Sequence, residues 1–123
     1  MRVILDTSIL IDFLRGRRAA VALVSGLDAV PTSSEICRVE LMQGLRPGER
    51  EDAEALMGAI QWLPVVEPIS RRAGELGQLW RGSHSGIGAA DLIIAASAEL
   101  LDARLLTLNV RHFPMFAGLT APY

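Results

Sequence analysis

The 123-residue sequence contains no lysine: all twelve of its basic residues are arginine. That excludes a P-loop, whose Gly-Lys-Ser/Thr needs an ammonium on the phosphates. It also excludes chemistry built on a lysine nucleophile or Schiff base. Cysteine is almost absent. Cys37 alone can form neither an intramolecular disulfide nor a multi-cysteine zinc site, and its isolation suits a reducing, cytoplasmic setting. No apolar run reaches the ~18 residues that span a bilayer, so no membrane association is expected. The apolar N-terminus does not read as a signal peptide, because Asp6 and Asp12 interrupt it and no small-residue cleavage site follows. A net charge of −2 does not advertise nucleic-acid binding. Arginine suits forked phosphate contacts, although all-arginine usage also fits genome composition.

Half the residues are apolar and 21% are charged, which describes one globular domain over residues 1–123 with a real core. The chain opens on Val3-Ile4-Leu5, a short run typical of a buried strand, which stops at Asp6. Ile9, Leu10, Phe13 and Leu14 then recur at helical spacing, with Gly16 after them. A second helix carries Ala20, Val21, Leu23, Val24 and Leu27. Ala29-Val30 reads as a short strand, and Thr32 to Glu35 as a capping box, with Ser33 and Ser34 as alternative caps. A helix through Ile36, Val39, Glu40 and Gln43 follows, then another with Ala53, Leu56, Met57 and Ile60. Leu63–Val66 suggests an edge strand, since Pro64 cannot donate to a ladder. Ile69, Ala73, Leu76 and Trp80 mark a further helix, and residues 89–101 a strongly apolar one. Leu105, Leu106 and Leu108 form a strand candidate ending at Asn109, and Leu119–Ala121 a last one. Strands alternating with helices predict an α/β domain around a mainly parallel sheet, with helices on both faces.

Three acids stand where a solvated surface would not put them. Asp6 follows a buried strand, Glu40 lies beside Val39 on the helix face expected to pack inward, and Asp91 leads the stripe Ile94, Ala95, Ala98. Each has a bland alternative. Asp6 can cap the helix, Asp91 can face a helix dipole, and Glu40 can pair with an arginine. Asn109, after a late strand, can be a turn residue. In a parallel sheet, however, strand ends and helix starts share one edge, so all four groups can converge there. Clustered carboxylates repel unless a cation joins them, and oxygen donors without histidine or cysteine favour Mg²⁺ or Mn²⁺. Such a site suits hydrolysis of a phosphodiester.

Ile4-Leu5-Asp6-Thr7-Ser8 resembles the opening motif of PIN-domain nucleases. Ser34-x-x-Cys37-x-x-Glu40-Leu41-x-x-Gly44 is similar to their second motif, Gly88-x-x-Asp91-x-x-Ile94-Ala95-Ala96 to their third, and Thr107-x-Asn109-x-x-His112-Phe113 to their fourth. Order, spacing and length resemble the VapC ribonuclease toxins of bacterial toxin–antitoxin pairs. The resemblance implies a PIN-like three-layer α/β/α fold and an endoribonuclease that hydrolyses RNA with metal-activated water. It implies that Asp6, Glu40 and Asp91 bind Mg²⁺ and that Asn109 stands at a fourth acidic position with one charge fewer. Ser8 and Thr107 would orient the cluster by hydrogen bonds. A homodimer and a VapB-like antitoxin are implied as partners. Cys37 replaces the usual Ser or Thr of the second motif, which should alter only packing.

Arg15, Arg17, Arg18 and Arg111 are candidate RNA contacts, with a solvated helix end as the alternative for the first three. His112 can assist proton transfer or serve as a structural hydrogen-bonding group. Two rival functions differ in class. A phosphoaspartyl enzyme or receiver would need a second acid two residues after Asp6 and a lysine, and both are absent. A catalytically inactive PIN-like interaction module would share the fold without the chemistry.

Overall fold

A central strand explains the opening run. In the computed structural model, which describes residues 2–123, β1 (Val3–Leu5) pairs in parallel with β2 (Thr32–Ser34) on one side and β4 (Arg104–Leu106) on the other. β3 (Gln61–Leu63) pairs with β2, so the sheet order is β3-β2-β1-β4 and every pairing is parallel. Ile4 and Leu5 are buried because strands flank them and helices cover the faces. The ladder runs one residue past β1, where the Asp6 amide donates to Leu106 O at 3.0 Å.

Six helices link the strands: α1 (Thr7–Leu14), α2 (Arg18–Ser25), α3 (Glu35–Gln43), α4 (Arg50–Gly58), α5 (Glu67–Trp80) and α6 (Ala89–Leu101). With the usual right-handed crossovers this strand order puts α1–α4 on one face and α5–α6 on the other, α3 also meeting α6. The packing agrees: α1 touches α2, α3 and α4, and α5 lies along α6. Ile69, Ala73 and Leu76 of α5 are buried, as are Leu92, Ile94, Ala95, Ala96 and Ala98 of α6. α1 ends before Gly16, whose φ of +72° reverses the chain into α2 at little steric cost. No helix among the described residues is long and apolar enough to cross a membrane.

Several boundaries differ from expectation, each for a visible reason. The second strand is Thr32–Ser34, not Ala29-Val30; Val30 is 55% exposed, while Ser33 and Ser34 are wholly buried. Ser33 Oγ donates to Leu5 O at 2.9 Å, so a polar residue serves the interior by bridging strands. The cap of α3 is Ser34, whose Oγ accepts from the Ile36 amide, and no Thr32–Glu35 box forms. The third strand ends where the expected one began: Pro64 follows β3, which is indeed an edge strand. β4 stops at Leu106, before Leu108 and Asn109. Leu119–Ala121 forms no strand. The segment after the 3-10 turn at Val110–His112 leaves the sheet and ends on α1, where Tyr123 Oη donates to Asp12 at 2.8 Å.

Candidate metal centre

The carboxyl ends of β1, β2 and β4 open onto one edge, and Asp6 sits at its centre. Asp6 is the N-cap of α1, with Oδ1 accepting from the Thr7 amide at 2.7 Å. The capping role and the site role therefore fall on one residue rather than competing. Its other oxygen, Oδ2, accepts from Thr107 Oγ1 at 2.6 Å and Ser8 Oγ at 3.1 Å. Those hydroxyls are themselves held. Ser8 Oγ accepts from the Leu108 amide, and Thr107 Oγ1 from the Asn109 amide. Asp6 is 3% exposed. Burial pushes its pKa above the usual value; the hydrogen bonds from Thr107, Thr7 and Ser8 oppose that, and the charge of Asp91 adds to it.

Glu40 reaches Asp6 through α1. Thr7 Oγ1 donates to Glu40 Oε1 at 2.7 Å, a bridge not foreseen from the sequence. No arginine pairs with Glu40 among the described residues. The expected inward face of α3 is shifted. Val39 is 56% exposed, Cys37 and Leu41 are buried, and Glu40 is half-buried beside them. Ligand atoms of Asp6, Cys37 and Glu40 lie within 4.8 Å of one another. Burial, reinforced by the charges of Asp6 and Glu40, pushes the Cys37 thiol up to about 12, so it stays protonated. A buried thiol is a poor partner for a hard cation, and Cys37 fills space beside the acids.

Asp91 stands at the start of α6. Its Oδ2 accepts from the Gly88 amide at 3.0 Å and lies 3.2 Å from His112 Nδ1. It falls outside the group formed by Asp6, Glu40 and Cys37, yet near enough for its charge to act on Asp6. Asn109 is exposed just beyond Thr107; its backbone amide donates to Thr107 Oγ1 and its backbone carbonyl accepts from the His112 amide.

The donor set fits a hard divalent cation. Two carboxylate oxygens offer about four lone-pair sites, of which three are used on Asp6. Glu40 Oε2 and Asp91 Oδ1 accept no hydrogen bond from the described residues. Open oxygens on three neighbouring acids, oriented by hydroxyl and amide donors, are what a metal centre requires.

The arginines divide. Arg15 donates to Glu49 and to Gly44 O, tying α1 to the turn before α4. Arg17 pairs with Asp12 at 2.9 Å and lies over the Tyr123 ring. Both are thus occupied structurally. Arg18 and Arg111 are exposed and have no carboxylate within 4.0 Å among the described residues.

The chain is similar to known proteins in both sequence and fold. Residues 3–118 match the family model described as "PIN domain". The chain is 45% identical to "Ribonuclease VapC19" of Mycobacterium tuberculosis over 98% of each chain. It is 41% identical to "Ribonuclease VapC10" of the same organism, covering 98% of this chain and 92% of that one. The solved "Toxin-antitoxin complex from Klebsiella pneumoniae" contains a chain 26% identical, with a TM-score of 0.85 and 98% of each chain covered.

Proposed function

The chain belongs to the PIN domain family, and on that premise we propose that it is a metal-dependent endoribonuclease, the toxin of a toxin–antitoxin pair. PIN domains are metal-dependent nucleases, and the acid cluster is where this chain could hold the ion. The observation that carries the reading is the Asp6–Glu40 pair: two carboxylates brought together at the carboxyl end of a parallel sheet, with no arginine paired to either among the described residues.

We assign the ion as Mg²⁺, with Mn²⁺ able to replace it, on the chemistry of the oxygen donors. Bound there, such an ion supplies Lewis acidity for phosphodiester hydrolysis, polarising a phosphoryl oxygen and making water more acidic. The protein contributes orientation. Ser8 and Thr107 hold the Asp6 carboxylate in one rotamer, Thr7 holds Glu40, and the Gly88 amide holds Asp91. In this reading Asp6, Glu40 and Asp91 would hold the metal, and Asn109 would stand at the fourth, uncharged position of the site. No covalent enzyme intermediate is required.

The names of the relatives, both ribonucleases, support RNA as substrate. The Klebsiella complex supports a cognate VapB-like antitoxin as partner, and a homodimer of this chain belongs to the same reading. Incubating purified protein with labelled single-stranded RNA tests the assignment. Cleavage should require Mg²⁺, stop with chelator, and fall by ~10²–10³-fold in Asp91→Asn. Chelator-resistant cleavage at full rate would refute the mechanism. Antitoxin binding without cleavage of any RNA would instead establish an inactive interaction module.

A further inference from the structure

We propose that the cleft between the Ser83–Gly86 turn and the Val110–Pro114 segment is a subsite for a backbone phosphate of single-stranded RNA, next to the one cleaved. The inference rests on the nuclease reading and specifies how that site takes its substrate. The cleft has a volume of ≈ 620 Å³ and is lined by Ser83, His84, Gly86, Arg111 and His112, among others. Its place is set by topology: one wall follows β4 and the other precedes α6, so it opens at the edge that carries the acids. His112 is the shared partition, with Nδ1 3.2 Å from Asp91 Oδ2.

The lining suits an anion. No carboxylate lines the cleft, whereas Arg111 projects there without a carboxylate partner within 4.0 Å among the described residues. His84 is steadied by Ser83 Oγ, 2.8 Å from its Nδ1, and by an edge-on contact with Trp80. Its Nε2 has no hydrogen-bond partner among the described residues and can face a phosphate oxygen. The turn fits closely around the partition. At Gly86, φ is +88° and an added Cβ would lie 3.5 Å from His112 Nε2. An acidic wall for a cation therefore adjoins a basic wall for an anion, so a polyanion can engage both with successive phosphates. Two larger clefts do not combine these features. The one lined by Leu27, Leu56 and Ile60 is largely apolar, and the one lined by Arg2 and Arg104 lies at the opposite ends of the strands.

The test compares the full chain with Arg111→Ala, Arg111→Lys and Arg104→Ala, the last removing an equal charge from the far end of β4. Fluorescence anisotropy of a labelled single-stranded RNA, titrated over a salt series, reads binding; cleavage kinetics separate KM from kcat. Arg111→Ala should weaken binding about tenfold and reduce the slope of log K against log salt by ~0.7, the amount for one phosphate contact to a single strand. KM should rise with kcat little changed, Arg111→Lys should recover part of the loss, and Arg104→Ala should change binding less than twofold. Arg111→Ala indistinguishable from Arg104→Ala, in a protein that binds and cuts RNA, would overturn the subsite alone. A wild-type chain that neither binds nor cuts any RNA would overturn the nuclease reading and the subsite with it.

Discussion

Helix α6 belongs to two regions with opposite physics. Along its length Leu92, Ile94, Ala95, Ala96 and Ala98 are buried, facing α5 and the sheet. Removing that apolar surface from water is what stabilises the fold. At its N-terminus Asp91 joins an edge where burial works against stability. Asp6 is nearly as buried as Ile94, yet three donated hydrogen bonds do not offset its desolvation, and its pKa stays raised. The packed layer is therefore at its best without any ligand. The acid edge carries a cost that a cation would relieve.

Asp6→Asn breaks that contrast most sharply. We expect it to reduce RNA cleavage by ~10³-fold and, in chelator, to make the fold more stable at neutral pH by roughly 2–4 °C in Tm. The sign follows from linkage. Asp6 has a folded-state pKa above its unfolded value of 3.8. Its contribution to stability is complete below the unfolded pKa and is lost as pH rises through the folded one. Thermal melts of wild type and Asp6→Asn in chelator, at acid and neutral pH, check this: the gap should close at acid pH. A neutral-pH loss of stability in the variant would show that the hydrogen bonds outweigh desolvation.

Ile94→Ala probes the other region. With Ile94 1% exposed, truncation should cost about 2–5 kcal/mol in denaturant unfolding. Cleavage per folded molecule should persist at a temperature where the variant remains folded. A smaller effect is expected from two glycines of α5. A Cβ at Gly74 meets nothing within 4 Å, so Gly74→Ala should gain about 0.5–1 kcal/mol from helix propensity alone. A Cβ at Gly77 would sit 3.0 Å from Leu92 Cδ1, so Gly77→Ala should gain less than Gly74→Ala or lose stability. Equal gains at both positions would show that the α5–α6 seam is looser than its burial indicates.

Much of this architecture is legible in the sequence because it has a simple period. The apolar residues of α5 and the whole span of α6 follow from helical spacing, and β1 from an apolar run bounded by a charge. β2 is not legible in that way, because its buried residues are serines whose role depends on Leu5 O, a partner from another strand. Val39 misleads for the converse reason: an apolar residue at helical spacing from Ile36 is exposed, while the interior face runs through Cys37 and Leu41. Arg15 and Arg17 read as free cations beside a helix end, but Glu49 comes to Arg15 only when the chain folds, and Asp12 meets Arg17 across the turn that ends α1.

The sequence by itself determined the α/β class and the family, and it nominated Asp6, Glu40 and Asp91 as candidate acids, since motif spacing and hydrophobic period are local properties of a chain. Tertiary structure decided the rest. It let Thr7 carry a hydrogen bond from α1 to Glu40, set Cys37 against the acids as an un-ionised thiol, and leaned Asp91 on His112. It also occupied two candidate arginines while leaving Arg111 without a carboxylate partner among the described residues. Most of these contacts join residues distant in the chain, and their energies depend on burial and direction that no spacing encodes.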